Sequence, residues 1–115
     1  MVSRFREKTI ILDRVRTLLL AGGLGKRLSP LTDNWPKCLM PVGERPLLEH
    51  WLCTLQGNGL STALVNTHHH HQIVENFLGR VQFSDWVSTV YEPQLLGTAG
   101  TVLQNIEYFR GNVVL

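Results

Sequence analysis

The sequence predicts an α/β fold: a Rossmann-like three-layer sandwich around a mainly parallel sheet. Three observations predict it. Short apolar runs at residues 17–21, 62–66 and 87–91 alternate with stretches whose apolar residues recur at helical spacing, at 47–55, 73–78 and 102–109. The first of these runs is continuous rather than alternating, which suits a strand buried on both faces by crossover helices. Glycine or proline marks most changes of period, at Gly22, Gly23, Gly57, Gly59, Gly79 and Pro93. Strands alternating with helices give β-α-β units with right-handed crossovers.

Composition bounds the function. At 115 residues one domain is the default, and 43% hydrophobic against 17% charged residues excludes a disordered, solvating chain. A formal net charge of +2, from 11 Lys and Arg against 9 Asp and Glu, is too small and too scattered to argue for nucleic acid or an anionic membrane. No apolar stretch approaches the length of a transmembrane helix. Basic residues Arg4, Arg6 and Lys8 before Ile10, Ile11 and Leu12 imitate a signal peptide, but Asp13, Arg14 and Arg16 interrupt its apolar core. Cys38 and Cys53 make neither a disulfide framework nor a zinc pattern, so a cytoplasmic protein with reduced thiols is expected.

The elements follow in order. Residues 1–15 read as an N-terminal extension, with a short strand at Ile10 to Leu12 as its one candidate element. Strand one is 17–21. Residues 22–45 hold Gly22, Gly23, Gly25, Pro30, Pro36, Pro41 and Gly43, a long loop of the kind that is usually functional in a compact domain. Pro46 opens the first helix, since proline at the first helical position sacrifices no hydrogen bond. Leu47, Leu48, Trp51, Leu52 and Leu55 form its apolar face, worth on the order of 8–15 kcal/mol gross before chain entropy is charged against it. Strand two is 62–66. A helix over 72–78 turns Ile73, Val74, Phe77 and Leu78 inward. Strand three is 87–91. A third helix over 98–109 buries Val102, Leu103, Ile106 and Phe109. A fourth strand begins at Asn112.

In parallel sheets ligands bind beyond the carboxyl ends of the strands, near the point where strand order reverses. Three segments leave those ends: 22–27, 68–71 and 92–100. The first carries the strongest motif, Leu20-Ala21-Gly22-Gly23-Leu24-Gly25-Lys26-Arg27-Leu28, followed by Pro30-Leu31-Thr32 and Pro36-Lys37. Glycines let backbone N–H groups approach an anion, and Arg27 and Lys37 add full charges, a set suited to a polyphosphate. Two familiar phosphate motifs fail. The P-loop requires glycine where Leu20 stands and Ser or Thr where Arg27 stands, and the dinucleotide fingerprint requires glycine at Leu28. A glycine-rich turn with solvated cations is the bland alternative.

Leu20 to Thr32, with Pro36-Lys37-Cys38-Leu39-Met40-Pro41-Val42, resembles the N-terminal signature of the sugar-phosphate nucleotidyltransferases, the NDP-sugar pyrophosphorylases. Gly43 to Leu47, Val65-Asn66-Thr67-His68, Glu92-Pro93 and Leu96-Gly97-Thr98-Ala99-Gly100 match in order. The resemblance covers residues 16–115, and its later segments look most like the mannose-1-phosphate guanylyltransferase branch. It implies a nucleotide-diphospho-sugar transferase fold, apparently truncated, whose nucleotide-binding part is 16–115. It implies transfer of a nucleoside monophosphate from a nucleoside triphosphate, GTP favoured, to a sugar 1-phosphate. Arg27 would stabilise the departing pyrophosphate and Lys37 would sit near the α-phosphate. Leu20, Ala21, Gly22, Gly23, Gly25 and Lys26 would offer a nucleotide-binding surface. Glu92, Gly97 and Thr98 would serve the base side. Mg²⁺ is expected for the complete enzyme, with its aspartate beyond Leu115 and no metal ligand in this chain.

Other residues have bland readings. His68 to His71 read as a solvated strand-to-helix turn, with His68 lining the cleft and no metal site. Trp51 reads as core, Trp35 as a lid residue or simple packing, and the cysteines as small apolar fillers. An edge strand that ends the chain leaves backbone groups open to association, so a homo-oligomer stands among the expectations. The rival readings are a non-catalytic nucleotide-sensing module or subunit, an inactive fragment of the enzyme, and a nicotinamide-dependent dehydrogenase. Leu28 and Asn66, which stands where strand two would need an acid, disfavour the last.

Overall fold

A computed structural model describes residues 14–110 and 113–114. The expected strand at Ile10 to Leu12 lies outside them. Strand β1 (Val15–Leu20) leads into two short 3-10 turns, Lys26–Leu28 and Lys37–Leu39, and then into a small antiparallel hairpin of β2 (Pro41–Val42) and β3 (Arg45–Pro46). Next come α1 (Leu47–Gly57), β4 (Ala63–Thr67), α2 (His71–Leu78), α3 (Val81–Ser84), β5 (Val87–Tyr91), α4 (Gly97–Gln104), α5 (Ile106–Phe109) and β6 (Val113–Val114).

The main sheet runs β5-β4-β1-β6 and every pairing in it is parallel. Leu20 pairs with Asn66 and Thr67 with Tyr91, so the carboxyl ends of β1, β4 and β5 lie side by side. The chain steps outward from β1 to β4 to β5, then returns to β6 on the other side of β1. That reversal puts the switch point at the strand that feeds the glycine-rich loop.

β4 explains why its sequence does not alternate: all five of its residues are buried. Ala63 and Val65 pack with Leu48 and Leu52 of α1 and with Val74, Phe77 and Leu78 of α2. On the other side, the Arg16 guanidinium lies 5.5 Å over the Tyr108 ring of α5. The three layers expected from the sequence are present.

Several local expectations are corrected. Pro46 caps α1 from the preceding strand, with φ −60° and ψ 147°, and the helix begins at Leu47. Leu48, Leu52 and Leu55 form the buried stripe of α1, whereas Trp51 is 55% exposed. Trp51 and Leu47 lie one position round the helix and border an apolar pocket of about 250 Å³ with Leu19, Leu20 and Cys38. The helix expected over 98–109 is two helices. Asn105 between them sits at φ −114°, ψ 29°, outside the helical region, and both its backbone N–H (3.2 Å) and its side-chain amide (2.9 Å) donate to Thr101 O. The break rotates the apolar stripe, so Phe109 is buried while Leu103 (69% exposed) and Ile106 face outward. Helix α3, absent from the sequence reading, carries Phe83 into the core against Phe77.

Candidate active site

The site begins where β1 runs out. Asn66, at the end of the neighbouring strand, accepts hydrogen bonds at Oδ1 from the amides of Ala21 (2.7 Å) and Gly22 (3.2 Å). Those two N–H groups, expected to face a nucleotide, are therefore committed to holding the chain as it leaves the sheet. Gly22 is also packed closely, since a Cβ there would lie 3.1 Å from Leu95 Cδ2 and 3.2 Å from His68 Cβ. Among the described residues nothing accepts a hydrogen bond from the amides of Gly23, Leu24 or Gly25. These are the backbone donors available to a phosphate.

Gly25 takes φ 65°, ψ 31°, a left-handed conformation that glycine adopts without cost. It caps the turn Lys26–Leu28, closed by the Leu28 amide on Gly25 O at 2.9 Å. Thr32 braces the turn from beneath, its Oγ1 donating to the same Gly25 carbonyl at 2.7 Å. A Cβ on Gly25 would lie 2.7 Å from Thr32 Cγ2 and 3.1 Å from Lys37 Cβ. Lys37 thus stands directly against the bend that carries Arg27.

The outcome is an open cleft of about 410 Å³ lined by Leu24, Gly25, Lys26, Arg27, Leu28, Lys37 and Leu95. It gathers all three expected cations. No carboxylate pairs with any of them among the described residues. A second hollow of about 270 Å³ joins Leu20, Ala21 and Gly23 to Lys37 and Cys38. Burial pushes the Cys38 thiol up to about 11, so the group beside Lys37 is a neutral, unreactive wall.

The opposite side differs from the expectation. Glu92, expected to face a base, is only 3% exposed. Its Oε1 accepts from Thr101 Oγ1 at 2.5 Å, and its Oε2 accepts from the Leu96 amide at 3.3 Å and from Asn66 Nδ2 at 3.5 Å. A carboxylate with its oxygens so occupied fixes the start of α4 and, through Asn66, the start of the glycine-rich loop. Gly97 and Thr98 are exposed at the head of α4, Gly97 with φ 76°. Neither lines the cationic cleft.

The histidine run is the expected strand-to-helix turn, half-buried rather than fully solvated. All four imidazoles have partners. His68 Nδ1 meets Glu92 O at 2.7 Å, His69 Nε2 meets Thr32 O at 2.9 Å, and His70 Nε2 meets Asp33 O at 2.9 Å. His71 stacks on Tyr91 at 3.9 Å and lies 3.4 Å from Glu75 Oε1. Among the described residues no group of three His, Cys, Asp or Glu side chains converges to hold a metal ion. No helix there is long and apolar enough to cross a membrane.

Comparison with known proteins decides the family. Residues 16–115 match the sequence model of the nucleotidyl transferases. The chain belongs to the nucleotidyl transferase family. Among its relatives is a D-glycero-alpha-D-manno-heptose 1-phosphate guanylyltransferase of Aneurinibacillus thermoaerophilus, 27% identical over 88 residues, covering 76% of this chain and 38% of the relative. An N-acetylmuramate alpha-1-phosphate uridylyltransferase of Neisseria meningitidis is 32% identical over 104 residues, covering 88% of this chain and 45% of the relative. Among solved structures, the CTP:phosphocholine cytidylyltransferase of Streptococcus pneumoniae superposes with a TM-score of 0.61 at 31% identity, over 70% of this chain and 33% of that one. The nucleotidyl transferase chain described here spans less than half the length of each. These relatives are named for three different bases.

Sequence reasoning missed Asn66, Thr32 and Thr101 as site-building residues. The available signal was a polar side chain inside or beside an otherwise apolar strand end, as at Asn66 and Thr67.

Proposed function

We propose that the full-length protein is a sugar-1-phosphate nucleotidyltransferase and that the cleft at the end of β1 holds the triphosphate. One observation carries this reading: Lys26, Arg27 and Lys37 converge, unpaired with carboxylates, around a left-handed glycine whose neighbouring amides are unused. In the reaction a phosphate oxygen of the sugar 1-phosphate attacks the α-phosphorus. The bond from the α-phosphorus to its bridging oxygen breaks, and pyrophosphate leaves with that electron pair. Such transfers need positioning and charge neutralisation rather than a covalent residue. Arg27 binds the departing pyrophosphate, because a guanidinium offers paired donors to phosphate oxygens. Lys37 is the point charge nearer the α-phosphate and the incoming phosphate. The amides of Gly23 to Gly25 add fixed dipoles.

Mg²⁺ belongs to the proposal for the complete enzyme. The described residues do not fit such a site, and no step here runs through it. Guanylyl transfer to a mannose-type 1-phosphate is the finer reading, supported by Asn66 to His69 and Leu96 to Gly100 and by similarity to a heptose guanylyltransferase. A cytoplasmic location and a homo-oligomer belong to the same proposal.

The test is pyrophosphate release by the full-length protein with GTP, UTP, CTP or dTTP and a panel of sugar 1-phosphates. Arg27→Ala is expected to cost about 2.7–4 kcal/mol of transition-state stabilisation, roughly 100-fold or more in turnover, with folding intact. Near-normal turnover would remove Arg27 from the mechanism. Nucleotide binding without pyrophosphate release would favour a nucleotide-sensing role instead.

A further inference from the structure

The loop that carries Arg27 has weak internal support. Residues 26–31 are all exposed, and the backbone bonds that shape the segment are Leu28 N to Gly25 O, Ser29 N to Lys26 O, Leu31 N to Leu28 O and Asp33 N to Pro30 O. These are three-residue turns, with poorer hydrogen-bond geometry than an α-helix. An exposed segment of this kind gains backbone freedom easily. A cationic cleft nevertheless requires it to stay in one place.

Two ties reach it from the end of β4. Asn66 holds the loop's beginning, as described above. His69 and His70 hold its far side, with Nε2 donating to Thr32 O and to Asp33 O, both at 2.9 Å. Thr32 is 2% exposed in an otherwise exposed stretch, and its hydroxyl reaches Gly25 O, the carbonyl that closes the Arg27 turn. The connection therefore runs from His69 to Thr32, from Thr32 to Gly25 O, and from Gly25 O to the Leu28 amide, which closes the turn that carries Arg27. His70 is the only non-glycine with positive φ among the described residues, at 53°. An L-residue held there is strained, and the surrounding contacts must offset that cost. The two rings also pack on each other, with centroids 3.9 Å apart. His68 and His71 point their hydrogen bonds elsewhere, so the run is divided into members with different tasks.

We propose that His69 and His70 are positioning residues for nucleotidyl transfer: they strap the Arg27 turn to the end of β4. The proposal rests on the reading of the cleft as a triphosphate site. It does not make either histidine a group that touches substrate.

The test uses the full-length protein and two readouts. The first is amide hydrogen exchange without ligand. His69→Ala should speed exchange across residues 25–33, with exchange in α1 and β4 unchanged as the control for folding. The second is steady-state kinetics. His69→Ala should lower kcat by roughly tenfold to a hundredfold, the scale of a misplaced catalytic group, with a smaller change in KM for the triphosphate. His69→Gln, which keeps a side-chain N–H donor, should recover most of the loss. In an Arg27→Ala background, His69→Ala should cost nothing further. Unchanged exchange, or an undiminished loss in the Arg27→Ala background, overturns the strap. If exchange responds but the wild-type protein releases no pyrophosphate from any triphosphate, the nucleotidyl-transfer reading has failed and the catalytic role falls with it. If the wild type turns over and exchange does not respond, only the strap has failed.

Discussion

Gly25 is the position where backbone and chemistry are hardest to separate. Its φ of 65° suits glycine, and a Cβ there would press on Thr32 Cγ2 at 2.7 Å. Gly25→Ala should therefore cost about 1–3 kcal/mol of stability and tilt the turn that presents Arg27. Urea unfolding and turnover should fall together, and an alanine variant with wild-type turnover would show that the turn tolerates displacement. Cys38 offers a second test. Burial pushes its thiol up to about 11 from an ordinary value of 9.0. The folded state then keeps a proton that the unfolded state releases first, so this group's contribution is fully present below pH 9 and is lost as pH rises towards 11. At neutral pH iodoacetamide should label exposed Cys53 well before Cys38, and equal rates would contradict the burial. Gly25, Lys26 and Arg27 were legible in the sequence because special backbone and charge sit together within three residues. Asn66 and Thr32 were not, because what they do depends on partners 45 and 7 residues away.

Strands and helices were legible where one local force dominated. β5 spans the residues predicted for it although only Val87 of it is buried, and β4, buried along its whole length, is shifted by one because polar Asn66 and Thr67 blur its end. The long helix over 98–109 failed because Asn105 leaves the helical region at φ −114°, ψ 29°, which apolar spacing alone does not register. Trp51, Leu103 and Ile106 failed differently. Helical spacing defines a stripe, while the element that covers it is a tertiary fact. Glu92 belongs with these, because a lone carboxylate before proline gives no hint that α4 closes over it. Thr101→Val removes its shortest hydrogen bond while keeping the volume. Leaving a buried acceptor without its donor costs about 1–3 kcal/mol, and denaturant unfolding should show a loss of that order. A change under about 0.5 kcal/mol, the range of ordinary surface substitutions, would mean that the network contributes nothing to α4.

The order β5-β4-β1-β6 brings the ends of β1, β4 and β5 to one rim, so the glycine-rich loop, the histidine turn and the head of α4 lean on one another. That arrangement was legible because right-handed crossovers and a single reversal leave few alternatives. It also means that a ligand seated in the cleft should stabilise the whole sheet. A triphosphate at about 100 times its Kd should raise the unfolding free energy of the full-length protein by about 2.7 kcal/mol. Because Lys26, Arg27 and Lys37 hold it from an open surface, the gain should shrink as salt rises from about 0.1 M to about 1 M and the screening length contracts from about 10 to about 3 Å. Thermal melting with a triphosphate, and with the corresponding nucleoside, separates phosphate gripping from base binding. Stabilisation by the triphosphate that fades with salt and largely vanishes in Arg27→Ala supports the cleft as the phosphate site. Equal stabilisation by the bare nucleoside, indifferent to salt, would place the binding energy in the base and leave the three cations without their assigned ligand.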